Sequence, residues 1–144
     1  MEPQIRRLTV ADYDDIIRVW QDAGLPFKPK GRERKELLQQ EMLQPFCAFF
    51  GLYLGKKLIG VIIANWDGRR GWLNRLAIDP DHRGRRYAGQ LIAAAEEFLT
   101  SKGAIVLAGL IDEENLPSMA AFTRAGYSCV QEIRLFRKRT DPDA

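Results

Sequence analysis

The chain contains one histidine and two cysteines, Cys47 and Cys129, among 144 residues. One imidazole and two scattered thiols form no ligand cluster, which argues against zinc or any other metal centre. Both cysteines lie in apolar, strand-like stretches, the pattern of buried free thiols in a reducing compartment. No apolar run is long enough to cross a bilayer. The opening residues, Met-Glu-Pro-Gln-Ile-Arg-Arg, have no apolar stretch behind them and so do not form a secretory signal. Together these absences lead to the expectation of a cytoplasmic protein without membrane attachment. Ser/Gly-rich and low-complexity segments are also missing, so nothing reads as a linker. A single domain spanning 1–144 is the expectation, with 46% hydrophobic residues to build its core.

The formal net charge is only +3, concentrated locally at 83–86 and 134–139. So modest an excess, without aromatics interleaved among the basic residues, makes a nucleic-acid partner unlike what this pattern supports. The cluster at 134–139 reads as a polar, aggregation-resistant strand edge.

What the chain does have is Asp79-Pro80-Asp81-His82-Arg83-Gly84-Arg85-Arg86-Tyr87-Ala88-Gly89. It joins the strand-like run 72–78 to the helix-like run 91–99. The first N–H groups of a helix are unpaired and its dipole is positive there, so a strand–loop–helix of this composition favours phosphate. Arg83, Arg85 and Arg86 add charge and bidentate donors.

The remaining pattern gives the element order. Ile5–Leu8 reads as a strand. Thr9 or Asp12 caps a helix through Ile16, Ile17, Val19 and Trp20, which stops at Gly24-Leu25-Pro26. A second helix carries Leu37, Leu38, Met42 and Leu43. Phe46–Leu54, Leu58–Trp66 and Trp72–Ile78 read as three antiparallel strands joined by turns at Gly55-Lys56-Lys57 and Asp67-Gly68. A helix with Leu91, Ile92, Ala95, Phe98 and Leu99 on one face follows. Ala104–Ile111 reads as a strand covered on both faces. A last helix spans Asn115–Arg124, and Tyr127–Lys138 reads as one or two terminal strands. The order β-α-α-β-β-β-α-β-α-β, with room for one more strand, implies an α/β fold: a mixed, mostly antiparallel central sheet with helices on both faces.

These residues resemble the GNAT superfamily of N-acetyltransferases. The loop Arg83-Gly84-Arg85-Arg86-Tyr87-Ala88 matches the family pattern of Arg or Gln, two residues, Gly, one residue, then Gly or Ala. The Asp79-Pro80 strand exit and Asn115 followed by Phe122-Thr123-Arg124-Ala125-Gly126-Tyr127 match as well. Two positions depart from the pattern. Arg86 stands where the family has Gly, and would fit there with a negative φ and an outward side chain. Phe122 stands where a Tyr often protonates the leaving thiolate, and it has no proton to give.

The resemblance implies acetyl transfer from acetyl-CoA, as co-substrate, to a primary amine. A β-bulge near Asn74–Leu76 would open a V-shaped split between the strands at 72–78 and 104–111. The pantetheine arm would enter it and pair with backbone at Leu76 and Ile78. The pyrophosphate would sit on N–H groups of Gly84, Arg85, Arg86, Tyr87, Ala88 and Gly89, with Arg83 beside them. Asn115 would hold the arm from the far side, near Phe122. A backbone N–H of Ala77 or Ile78 would polarise the thioester carbonyl.

No side-chain base stands out. The family's glutamate positions align with Trp72 and Leu110; Asp67, Asp112, Glu113 and Glu114 read as solvated turn residues. A lysine side chain is neutral about once in 2,500 at pH 7, an α-amine about one time in seven. Without a strong base the acceptor is expected to be an α-amine of a peptide or a small amine of modest pKa. His82 reads as structural. Trp66 and Trp72 read either as cross-strand packing or as walls of an acceptor site, which would be drawn from 20–35, 66–72 and 130–138. The rival class is a catalytically silent acyl-CoA-binding sensor, and a monomer or homodimer suits either.

Overall fold

The computed structural model describes residues 1–144. In chain order it contains β1 (Pro3–Arg7), α1 (Tyr13–Asp22), α2 (Lys35–Met42), β2 (Cys47–Leu54), β3 (Lys57–Trp66), β4 (Gly71–Ile78), α3 (Tyr87–Ser101), β5 (Leu107–Ala108) and α4 (Leu116–Arg124). The strands form one sheet in sequence order; β1 to β4 are antiparallel neighbours and β5 joins β4 in parallel. The expected α/β architecture with a mostly antiparallel sheet is the observed one.

Local chemistry explains the boundaries. Thr9 accepts from Ala11 N, and Asp12 Oδ2 accepts from Thr9 N, so the chain enters α1 through a reciprocal cap. Asp67 Oδ1 takes the N–H groups of Arg69 and Arg70, and Gly68 supplies a positive φ, which closes the β3–β4 turn.

The sheet separates two cores. Leu91, Ile92, Ala95 and Leu99 of α3 and Phe122 of α4 pack with Leu52, Ile59, Ile62, Leu73 and Leu76 on one face. Ile16, Val19 and Trp20 of α1 and Leu38 of α2 pack with Phe49, Leu58, Val61, Ile63 and Ala77 on the other. Period-two alternation along β2 and β3 delivers side chains to both faces, which is why these runs are apolar almost throughout.

In β4 the alternation breaks. Gly60 faces Ile78 and Val61 faces Ala77, but Ile63 faces Asn74, so Arg75 and Leu76 share the space opposite Ile62. This is a β-bulge, and Arg75 sits in it at φ 57°. Leu73 and Leu76 therefore reach the same core although three positions apart. A regular strand would send them to opposite faces.

Three expectations are corrected. Ala104–Ile111 is not a full strand: only Leu107 and Ala108 pair, with Gly71 and Trp72, and Ile105 is 93% exposed. Tyr127–Lys138 forms no strand. The two results share a cause. An apolar run becomes a ladder only where a neighbour supplies partners; β4 bends away at the bulge, and no later segment lines the outer edge of β5. Cys129, in that irregular stretch, is exposed rather than buried, whereas Cys47 is buried as expected.

Gly109 lies just where β4 and β5 part. A Cβ there would sit 2.5 Å from the carbonyl oxygen of Leu73. Gly109→Ala is therefore expected to destabilise the protein by about 1–3 kcal/mol, since backbone must move to admit the methyl. Chemical denaturation measures it; an unchanged midpoint would show that the strands tolerate a wider gap.

Candidate active site

Past Trp72 and Ala108 the two strands separate, and the gap opens onto two clefts. The first, about 180 Å³, is lined by Leu76, Ala77 and Ile78 of β4, by Arg83, Gly84, Arg86, Tyr87 and Ala88 of the loop and α3, and by Asn115 of the α4 cap. Nine of the residues singled out from the sequence thus surround one depression. Arg85 and Gly89 do not line it, and Phe122 lines the second cleft instead.

The N–H groups of Gly84, Arg85, Arg86, Tyr87, Ala88 and Gly89 have no protein acceptor. The first backbone bond of the segment is Gln90 N to Arg86 O, 3.3 Å. Six free donors at the start of the 15-residue α3, with Arg83, Arg86 and Arg124 on the same cleft, make a site suited to a polyanion. Gly84 holds φ 79°, the left-handed conformation that glycine adopts at little cost. Arg86 holds φ 65°. The expected negative φ is therefore wrong. The turn requires left-handed backbone at this position, and Arg86 adopts it with a Cβ penalty of roughly 1–2 kcal/mol.

Asp79 fixes the entry to this loop. It is buried at 5% exposure; Oδ1 accepts from Asp81 N at 2.9 Å, and Oδ2 lies 3.6 Å from Lys57 Nζ and 3.8 Å from His82 Nδ1. Burial pushes its carboxyl pKa up, but the Asp81 N–H, Lys57 and His82 outweigh that and leave it below 3.8. His82 is thus a packing neighbour of Asp79 on the cleft wall. A carboxyl with a lowered folded pKa stabilises above its unfolded value and loses the contribution as pH falls through the folded one. The melting-temperature gap between the wild type and Asp79→Asn should therefore shrink as the pH falls below about 4. A gap that does not change with acid would contradict this role.

Asn115 Oδ1 accepts from Ser118 N at 3.2 Å and caps α4, which leaves its NH2 group to donate to a ligand. Ser118, buried, donates its Oγ hydrogen to Leu76 O at 3.3 Å. That bond ties α4 to the bulge.

The second cleft, about 720 Å³, meets the first at Leu25, Leu76, Asn115 and Ser118. Trp20, Leu25, Arg32 and Glu33 line it from one side, Leu135, Phe136 and Arg137 from the C-terminal segment, and Asn65, Leu73, Asn74 and Arg75 from the sheet. The hairpin residues 66–72 do not line it. Trp66 packs at the edge of the α3 core, and Trp72 Nε1 donates to Asp67 Oδ2 at 2.9 Å. Asp67 is a turn anchor: the N–H of Arg70, Trp72 Nε1 and the N–H of Arg69 hold its pKa down to about 2.

Asp112 lines the second cleft, but Glu113 and Glu114 do not. Glu41 of α2 does, and burial raises its pKa, with Asn65 pulling the other way. The helical pattern gave no reason to choose Glu41 among the polar residues of α2. Nothing in the sequence pattern marks Ser118 or Arg75 either. The tyrosine next to Phe122 in space is Tyr127, ring centroids 5.0 Å apart; its hydroxyl donates to Glu96 at 2.6 Å, and burial pushes its pKa upward. No group of three His, Cys, Asp or Glu residues is placed to hold a metal, and no helix is long and apolar enough to cross a membrane.

A model of the acetyltransferase (GNAT) family matches residues 13–127. A protein named acetyltransferase from Yersinia enterocolitica is 24% identical over 135 residues, 94% of each chain. Among solved structures, the PaiA N-acetyltransferase from Thermoplasma acidophilum, in complex with coenzyme A, superposes with a TM-score of 0.78 at 20% identity, covering 89% of this chain and 91% of that one. AAC(6')-Iy, in complex with a bisubstrate analogue, gives 0.80 at 20% identity, covering 96% and 99%. With most of its length matched by the family pattern, and with the split sheet and free-amide loop of such a fold, the chain belongs to the GNAT family of acetyltransferases.

Proposed function

We propose that the protein transfers an acetyl group from acetyl-CoA to a primary amine by direct attack. The observation that carries this reading is the row of unpaired N–H groups from Gly84 to Gly89 beside Arg83 and Arg86. The pyrophosphate takes those donors, and the pantetheine arm runs into the gap that opens past Trp72 and Ala108. Leu76 O already accepts from Ser118, but a carbonyl has a second lone pair for the arm.

The thioester then lies where the two clefts meet, at Leu76, with the amine arriving from the larger one. The Ala77 N–H faces Val61 in the same ladder that carries Asp79 N to Ile59 O, so the Ile78 N–H is the one that polarises the carbonyl, and a donor of that kind is worth about 2.7–4 kcal/mol of barrier. The amine nitrogen bonds to the carbonyl carbon, the C–S bond breaks, and the proton shed by nitrogen ends on the thiolate. Phe122 cannot carry that proton, and Tyr127 is engaged with Glu96. Glu41 and Asp112, on the acceptor side, are the carboxylates that can take it from nitrogen, and water carries it on to the thiolate. An acceptor with an amine of modest pKa suits a site without a strong base.

The experiment is thiol release from acetyl-CoA against short peptides with free N-termini, free amino acids and lysine side chains. Release with an α-amine above that with lysine side chains is the expected order. Binding of acetyl-CoA without release for any amine would instead favour the sensor reading, for which Phe122 and the strained Arg86 speak.

A further inference from the structure

The protein leaves four buried side-chain polar atoms without a protein partner: Trp20 Nε1, Arg75 Nε, Arg75 Nη2 and His82 Nδ1. Three of the four belong to two residues in contact, because the Arg75 guanidinium stacks 4.3 Å above the Trp20 ring. Both residues line the larger cleft. All three atoms carry hydrogens to give, and none can accept. A guanidinium edge plus an indole N–H is complementary to a group that only accepts and has two oxygens, which is a carboxylate.

Arg75 owes this position to the bulge. Without the extra residue it would follow Leu73 into the α3–α4 core; with it, the side chain crosses to the Trp20 side. A non-glycine residue held at φ 57° is strained backbone, a cost that tends to gather where ligands are bound.

The nearby carboxylates do not serve Arg75. Glu33 is buried, and its oxygens are engaged by Lys28 N at 2.8 Å and Arg32 Nε at 3.0 Å. Neither Glu33, Glu41 nor Asp112 comes within 4.0 Å of the guanidinium. Burial lowers the Arg75 pKa, as expected of a cation kept from water without a full counter-charge.

We infer that Arg75, with Trp20 Nε1, binds a carboxylate carried by the amine acceptor. The inference rests on the proposed acetyl transfer and names its substrate class. Arg75 immediately precedes Leu76, where the two clefts meet, so the carboxylate lies close to the amine, as in an α-amino acid or an N-terminal acidic residue. Arg32 and Arg137 sit on the same cleft with Glu41 and Asp112, a mixed-charge surface that suits a zwitterion.

The test pairs acceptors that differ only in that group: leucine against leucinamide, and Asp-Ala-Ala-amide against Asn-Ala-Ala-amide. At least one carboxylate-bearing member should exceed its partner about tenfold or more in kcat/KM, the difference lying in KM. Amidation of leucine lowers its amine pKa, so that bias runs against the expected preference. Which pair responds tells a free amino acid from a peptide terminus. Arg75→Gln should bring the preferred pair within twofold, and Arg75→Lys should restore only part of the preference, because the ammonium lacks the two-toothed edge. Equal rates within both pairs, or a preference that survives Arg75→Gln, overturns the inference.

Two further measurements separate it from the transfer reaction itself. Acetyl-CoA affinity of the wild type and Arg75→Gln, read by calorimetry, should agree within twofold; failure of the wild type to bind overturns the proposed transfer. N-acetyl-leucine should still bind about tenfold more tightly than N-acetyl-leucinamide to the wild type if leucine is the preferred acceptor, or N-acetyl-Asp-Ala-Ala-amide more tightly than its Asn counterpart if the peptide is. Equal binding within both pairs counts against Arg75 whatever the donor does.

Discussion

Replacing Arg83 and Arg86 together by glutamate is expected to weaken acetyl-CoA binding by at least about 100-fold. A hydrogen bond to a charged partner contributes roughly 1.5–3 kcal/mol, so each arginine accounts for about 10-fold or more before repulsion is counted. Both side chains are exposed at the start of α3 and neither takes part in a salt bridge. The melting temperature should therefore change little, which isolates the effect to the ligand. Calorimetric titration at two salt concentrations measures it. Wild-type affinity should fall as salt rises, and the variant's should not. An affinity within threefold of the wild type would place the phosphates elsewhere. Arg86→Gly serves as the control: it removes one charge but relieves the left-handed backbone, so it should bind acetyl-CoA better than Arg86→Glu and melt higher.

Trp20→Ala is expected to be the most destabilising single change near the acceptor side. The ring is fully buried, against the sheet and under the Arg75 guanidinium. Truncating a buried tryptophan costs about 3–5 kcal/mol. In a domain of this size that lowers the melting temperature by very roughly 10–15 °C. Trp20→Phe refills most of the volume and should recover more than half the loss, but it lacks the indole N–H. If stability and acceptor KM recovered together in Trp20→Phe, the N–H would have no part in binding. If stability recovers and KM does not, the ring packs and the N–H binds. Thermal melts and acceptor titrations on the two variants decide it.

Much of this was legible because it is local. The three-strand meander follows from alternating apolar runs and two turns whose residues, Gly55 and Asp67-Gly68, dictate their geometry. The phosphate loop follows from a strand exit, a glycine and a helix start. The bulge was expected near Asn74–Leu76 and lies there, although that expectation came from the likeness to a family and not from the residues themselves. What failed was non-local. Ala104–Ile111 is apolar enough for a strand, yet only Leu107 and Ala108 join the sheet, because partner supply is set by β4 and not by the run itself. The same holds for Tyr127–Lys138. Arg75 is hidden from the sequence pattern for a related reason. Period-two reasoning assigns a side chain to a face, and one extra residue resets every assignment beyond it. Glu41 and Ser118 gained their places only when α2 and α4 docked on the sheet. At Arg86 the side chain favours a negative φ, but the turn imposes φ 65°.

Residue-resolved amide hydrogen exchange with and without acetyl-CoA tests the central claim most directly. The unliganded N–H groups of Gly84 to Gly89 should exchange fast, since no protein acceptor holds them, and should slow by at least about tenfold when acetyl-CoA is added, together with backbone amides of β4 between Leu76 and Ile78. Slowing confined to other segments, or none at concentrations that saturate binding, would contradict the account.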